Sequence, residues 1–346
     1  MITFDHIKVI YGDFVAIPDF NLDVQEGEFF TFLGPSGCGK STALRTLAGF
    51  ISPSSGKILI DDKDVTFAHP SKRGIGMVFQ NYALFPSMNV RENIEFGLKM
   101  AKLPKTEISE RALKAARQVS LTDEQLGKQI SELSGGQQQR VAIARALVME
   151  PNILLLDEPL SNLDARLRKQ LRGQLKDIQS EVGITTVYVT HDQEEALSMS
   201  DRIAVLNEGR IEQVGTPREL YEKSETEFVC TFLGQVNPLS EAQIDELNNQ
   251  GARLSPAHKH YIRPERLTVQ RDNTSSIGNE LRLPATITGE SYLGDHSVIE
   301  VNAMGSPLRV NVSGLHPLGT TNSDVTLLLD DSAISSFDAD GRRVAE

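Results

Sequence analysis

The chain has 346 residues, with 47 acidic side chains against 35 basic ones and a formal charge of −12. That balance argues against nucleic acid as the main partner, because a phosphate backbone needs a basic face. Two cysteines make neither a disulfide framework nor a zinc cluster, no apolar run reaches the ~20 residues that cross a bilayer, and the opening MITFDHIKVIYGDF lacks a secretory pattern, so a reducing cytoplasm is expected.

Short apolar strands alternate with longer amphipathic stretches up to about residue 235, which predicts an α/β fold with a largely parallel sheet. EFFTFL (28–33) reads as a buried strand and STALRTLAGF (41–50) as a helix. Between them GPSGCGKS (34–41) fits G-x-x-x-x-G-K-[ST] in the strand-to-helix context that a phosphate-binding loop requires. The backbone of Gly34, Pro35, Ser36, Gly37, Cys38, Gly39 and Thr42 is expected to curl around phosphate oxygens. Lys40 is expected to reach the β- and γ-phosphates, and the Ser41 hydroxyl to hold Mg²⁺. Cys38 reads as a small filler, since such a loop works through its backbone.

GIGMVF runs into Gln80, whose amide suits orienting water or reaching Mg²⁺; a turn residue is the alternative reading. NYALFPSMNVRENIEFG (81–97) then carries Tyr82, Leu84, Phe85, Pro86 and Met88, which divide between core and a groove for a partner helix. Residues 87–150 are mostly helical in pattern, so a helical subdomain is expected there. Within it LSGGQQQR (133–140) opens the helix GQQQRVAIARALVM (136–149). Ser134 and Gln137 have capping-box spacing. That leaves Gly135 and Gly136 unexplained, since glycine costs about 1 kcal/mol against alanine inside a helix. Close approach of an anion to the helix start would explain them.

ILLLDEP (153–159) is a buried strand ending in two carboxylates. Asp157 is placed for Mg²⁺ and Glu158 as general base for an attacking water. TTVYVT (185–190) is another buried strand, and His191 follows it at the strand end where α/β sheets bind ligands. After FLGQVN (232–237) the chain turns to short β-rich pieces, including YIRPERL, YLGDHSVIEV and the alternating LRVNV (308–312). Two domains are expected, 1–237 and a small all-β, barrel-like 238–346.

Taken together these residues resemble the ATP-binding subunits of ABC transporters. The resemblance covers about 1–235 and rests on Tyr11 in VIYGDFVA, GPSGCGKS, Gln80 in VFQNYALFP, LSGGQ, ILLLDEPLSNLD and His191 in VTHD. It implies a P-loop NTPase cassette working as a head-to-tail pair, with ATP between the P-loop of one copy and LSGGQ of the other. Ser134, Gly135, Gly136 and Gln137 would then contact the γ-phosphate in trans, Tyr11 would stack on adenine, and Asp164 would help join the two sites. Glu158, Gln80 and His191 would serve hydrolysis. Many relatives have alanine where Asn162 stands, and no loss of activity is expected from that departure.

The 81–97 stretch would receive a helix of a separate transmembrane permease, at the cytoplasmic face of the membrane. The C-terminal part resembles the small β domain of importers for sugars, polyamines, ferric iron, sulfate and phosphonates, and an extracytoplasmic solute-binding protein would take part indirectly. LAGF (47–50) leans toward the polyamine, ferric-iron and phosphonate branches. The alternatives are a non-transport ATPase of the same family, acting on DNA or the ribosome, and an export subunit.

Overall fold

A computed structural model describes residues 1–270, 280–313 and 322–344, in two compact units, Met1–Glu222 and Lys223–Glu346. The first is built on a six-stranded sheet. Its order is Arg210–Gly215, Arg202–Asn207, Phe29–Leu33, Thr185–Thr190, Ile153–Asp157, Ile75–Val78. All neighbours are parallel except the first pair, a hairpin. The strands Phe29–Leu33, Ile153–Asp157 and Thr185–Thr190 are buried along their whole length. That is the condition of a parallel sheet covered on both faces, and it is why these segments read as unbroken apolar runs.

Alternate side chains enter two different cores. Phe30, Phe32, Ile153, Leu155, Val187 and Val189 pack with the helix Lys40–Ala48 and with a four-stranded antiparallel sheet. There the rings of Phe4, Phe20 and Phe32 meet edge to face, with centroids 5.2–6.3 Å apart. Phe29, Leu154, Leu156 and Tyr188 point the other way, into the core formed with the helices. Four of these, Val90–Met100, Lys105–Gln118, Asp123–Leu126 and Gly135–Leu147, lie between the strands Ile75–Val78 and Ile153–Asp157.

The first helix stops at Gly49, short of the expected Phe50. Gly49 is left-handed (φ 83°), and its N–H bonds back to the Arg45 and Thr46 carbonyls.

In the second unit a five-stranded antiparallel sheet has the order Thr268–Gln270, Asp324–Leu329, Leu281–Tyr292, His296–Ala303, Ser306–Ser313. Its two edge strands approach each other, so the sheet curls. A second sheet joins Asn237–Pro238, Lys259–Ile262 and Ile334–Phe337. The curled sheet is the small β domain that the sequence leads one to expect, and it carries one unexpected helix, Glu241–Asn249, opened by a capping box between Ser240 and Gln243, with Ile244 and Leu247 buried.

The division also falls at Glu222/Lys223 rather than at 237/238. Residues just after it bond within the second unit: Glu227 takes the Lys259 ammonium at 2.8 Å and the Tyr261 hydroxyl, and its N–H donates to the Gly341 carbonyl at 2.8 Å. Of the expected 238–346 domain, residues 271–279, 314–321 and 345–346 lie outside the described residues. A chain ended after Glu222 is expected to unfold in one cooperative urea transition. Aggregation of that fragment in light scattering would assign 223–237 to the core of the first unit.

Candidate functional site

The candidate site lies at the carboxyl ends of four adjacent parallel strands. Leu33 pairs with Thr190, Val189 with Asp157 and Leu156 with Val78, so these ends are nearly level. The P-loop leaves the first strand, His191 the second, Asp157 and Glu158 the third, and Gln80 lies two residues past the fourth.

The loop is shaped by close packing. A Cβ on Gly34 would stand 2.3 Å from the Leu206 carbonyl oxygen and 2.7 Å from Cys38 Sγ, so only glycine fits. Gly39 is left-handed (φ 102°) and occupies the helix cap without any side-chain cap bond. The first N–H groups of the helix Lys40–Ala48 therefore carry no side-chain partner, the arrangement that suits an anion.

Pro35 is half-buried, Ser36 and Gly37 are exposed, and Thr42 sits in the first turn of the helix. Lys40 is buried, and Nζ donates to the Gly34 and Pro35 carbonyls at 2.8 Å each. Cys38 is buried beneath the loop with Sγ 3.9 Å from Lys40 Nζ; burial pushes its thiol up, which keeps it protonated and inert.

Ser41 Oγ donates to Asp157 Oδ1 at 2.9 Å, and Arg45 Nη2 lies 3.5 Å from Asp157 Oδ2. Asp157 is 4% exposed. A hydroxyl and a buried carboxylate side by side make a hard oxygen donor pair of the kind Mg²⁺ takes.

Glu158 has left-handed backbone (φ 47°), uncommon for a non-glycine residue, while its N–H still donates to the Val189 carbonyl at 3.1 Å. Its carboxylate Oε2 lies 3.3 Å from His191 Nδ1 and 3.5 Å from Gln80 Nε2. Gln80 Nε2 also donates to Ser161 Oγ at 3.3 Å, and Asn162 Nδ2 donates to the Gln80 carbonyl at 2.9 Å. Glu158, His191 and Gln80 thus come together. Ser161 and Asn162, which pin Gln80, were not expected, and neither was Arg45 on Asp157. Arg45 lies one helical turn from Ser41, a spacing that could have signalled it.

Ser134 is exposed, and its capping box is formed: Ser134 N–H donates to Gln137 Oε1 at 2.9 Å, and Gln137 N–H to Ser134 Oγ at 3.4 Å. The glycine pair has a second reason that the sequence reading lacked. Neither glycine is left-handed. A Cβ on Gly135 would stand 3.0 Å from Leu163, and one on Gly136 3.2 Å from both Leu167 and Leu171. The helix is packed through these two positions onto the helix Ala165–Val182 and the turn before it.

Tyr11 ends the strand Ile2–Tyr11 and is 47% exposed. The hairpin it belongs to touches the P-loop, the Ala16 carbonyl standing 3.5 Å from where a Gly39 Cβ would be. In the loop after Gln80, Tyr82 is core, Leu84, Phe85 and Met88 are half-buried, and Pro86 is exposed. Among the described residues no helix is long and apolar enough to cross a membrane.

Residues 17–161 match the family described as ABC transporter, and residues 261–335 match the TOBE domain. The chain is 45% identical over 325 residues to the Fe(3+) ions import ATP-binding protein FbpC 1 of Rhizobium meliloti, covering 89% of this chain and 90% of that one. It is 42% identical to FbpC of Agrobacterium fabrum over 98% of both chains. Identity to the spermidine/putrescine import ATP-binding protein PotA of Bacillus thuringiensis is 54% over 237 residues, 68% of this chain and 72% of that one.

Among solved structures, cbiO1 of Clostridium perfringens, part of an ABC transporter complex, matches with TM-score 0.60 at 35% identity, over 63% of this chain and 89% of that one. A dimeric ATP-binding cassette bound to ADP and Pi matches with TM-score 0.56 at 35% identity, over 63% of this chain and 99% of that one. With the strand-end constellation in place and relatives aligned along nearly its whole length, the chain belongs to the ATP-binding proteins of the ABC transporter family.

Proposed function

We propose that this chain is the ATP-hydrolysing subunit of a solute importer, acting as a pair of cassettes docked on separate permease subunits at the cytoplasmic face of the membrane. The observation that carries the reading is the group at the strand ends: Ser41 beside Asp157, and Glu158 within 3.3 Å of His191. Lys40 and the N–H groups of the P-loop bind the ATP phosphates. Ser41 and Asp157 would hold Mg²⁺, with the Gln80 amide oxygen as a third donor. An ion held there would supply charge neutralisation for the phosphates. Glu158 takes the proton of the attacking water, and His191 orients Glu158 and the γ-phosphate. Tyr11 stacks on adenine, and Ser134 with the start of its helix meets the γ-phosphate held by the partner copy.

The γ-phosphate then bridges two half-sites, and its hydrolysis removes the bridge. Such a ligand drives closure only through its higher affinity for the closed pair. The cassette does not itself handle the cargo, so cargo is argued from relatives. Those named for Fe(3+) import align along the C-terminal unit as well, whereas the polyamine one aligns over 237 residues. Ferric iron is therefore the first cargo to test, by stimulation of ATPase in the reconstituted complex with a ferric-loaded solute-binding protein. Stimulation by a polyamine-loaded one instead would move the chain to that branch.

Lys40→Ala is expected to lose most ATP affinity in a fluorescent-nucleotide titration, because the phosphates lose their fixed cation. Unchanged affinity would contradict the P-loop assignment.

Glu158→Gln keeps shape and removes the base, so hydrolysis is expected to fall by ~10²–10⁴ while ATP binding survives. With hydrolysis blocked, ATP is expected to produce a dimer in size-exclusion chromatography with light scattering. Ser134→Arg in the same chain is expected to abolish that dimer without affecting ATP binding by the monomer. A dimer that forms equally well with Ser134→Arg would reduce LSGGQ to a helix cap.

A further inference from the structure

Asp164 caps the helix Ala165–Val182, its Oδ1 accepting from the Leu167 N–H at 3.0 Å. One turn into that helix the Arg168 guanidinium has three oxygen neighbours. Nη2 donates to the Leu163 carbonyl at 3.1 Å, Nη1 donates to Asp192 Oδ2 at 3.3 Å, and Nε lies 3.8 Å from Glu195 Oε1. Arg172, a turn further on, donates to the same Asp192 Oδ2 at 3.2 Å and to Glu194 Oε2 at 2.8 Å.

Asp192 directly follows His191. Its other oxygen accepts from the Glu195 N–H at 3.0 Å and caps the helix Gln193–Met199. Glu195, whose side chain is 4% exposed, accepts from the Tyr188 and Thr190 hydroxyls at 2.7 and 2.6 Å. His191 is therefore flanked on both sides by residues bonded into one network, and Arg168 joins that network to the turn carrying Asp164.

An exposed ion pair would carry little weight. Here the Arg168 and Arg172 side chains are 27% and 13% exposed, and Arg168 also holds a backbone carbonyl. A planar guanidinium can serve a carbonyl and a carboxylate at once in fixed directions, which an ammonium cannot.

We propose that Arg168 is a positioning residue: it ties the Leu163–Asp164 turn to Asp192 and so sets where His191 stands against Glu158. This rests on the reading above, in which Glu158 and His191 serve hydrolysis and Asp164 faces the partner copy. Closure of the pair at Asp164 then reaches His191 by way of Arg168 and Asp192.

Single-turnover hydrolysis of radiolabelled ATP, which reads slow variants, tests this in Arg168→Met, His191→Ala and the double variant. Arg168→Met is expected to slow hydrolysis on the order of ten- to a hundredfold, the scale of a misplaced reacting group, with ATP affinity unchanged within about twofold. On the His191→Ala background the same substitution is expected to add nothing, the mark of a residue acting through His191. Asp192→Asn keeps the helix cap and drops the gripped charge. It is expected to reproduce the pattern of Arg168→Met, and it decides the matter if Arg168→Met does not fold.

A full further loss on a slow His191→Ala background overturns the inference alone. So does a parallel loss of ATP affinity, or wild-type hydrolysis in both Arg168→Met and Asp192→Asn. Wild-type hydrolysis in His191→Ala overturns the reading of the site and the inference with it.

Discussion

Parallel pairing of the strands that end at Leu33, Thr190, Asp157 and Val78 is the constraint on which the candidate site depends. Neighbouring strands stand about 4.8 Å apart and rise about 3.3 Å per residue. Level ends therefore bring residues from four distant parts of the chain within side-chain reach. Asp157 pairs with Val189, so Glu158 emerges beside Thr190 and His191 follows next to it. The two cores hold this register. A slip of one residue in Ile153–Asp157 would exchange Leu154 and Leu156 with Ile153 and Leu155, and each core is filled by only one of these sets.

The loops add what strands cannot. Past Gln80 the backbone turns through two left-handed residues, Tyr82 (φ 61°) and Ala83 (φ 47°). Each costs on the order of 1–3 kcal/mol and persists only where its surroundings impose it. Arg145 does so here, donating to the Ala83 and Tyr82 carbonyls at 2.7 and 2.8 Å. Its guanidinium also covers the Phe85 ring, 5.5 Å from the centroid, and Phe85 packs on Phe96. Asn93, fully buried, accepts from the Phe85 N–H and donates to the carbonyls of Phe85, Met88 and Asn89. The segment after Gln80 is thus fastened to the helical region, while Gln80 itself is fastened to Asn162 and Ser161. Gln80 stands at the junction of the two.

What was legible in the sequence was local. The P-loop, the strand runs ending in Asp157 and Thr190, and the Ser134 cap each declare themselves within a dozen residues, because spacing along one element decides them. Asn162 shows in the sequence only as a departure from relatives, since its bond to the Gln80 carbonyl spans 82 positions. Arg168 and Asp192 are 24 apart and show no local pattern. The helix Glu241–Asn249 is a different kind of miss. Ser240 and Gln243 with Ile244 and Leu247 carry a readable capping box and an apolar pair, but the surrounding β-rich composition outweighed four residues. The domain boundary went unseen because the attachment of 223–237 is decided by Lys259, Tyr261 and Gly341 rather than by its own composition.

The packing of Gly135 and Gly136 against Leu163, Leu167 and Leu171 bears on how variants of this segment are to be interpreted. An added methyl group there meets leucine side chains inside a single copy, before any nucleotide or second copy is involved. The leucine methyls would have to give way by a few tenths of an ångström in the seam between the helix that Ser134 begins and the helix that carries Arg168. A defect observed in the assembled pair after such a substitution thus has a packing component inside the lone subunit to be separated out. Thermal denaturation of the free chain, in the absence of ATP, separates that component from any loss of phosphate contact.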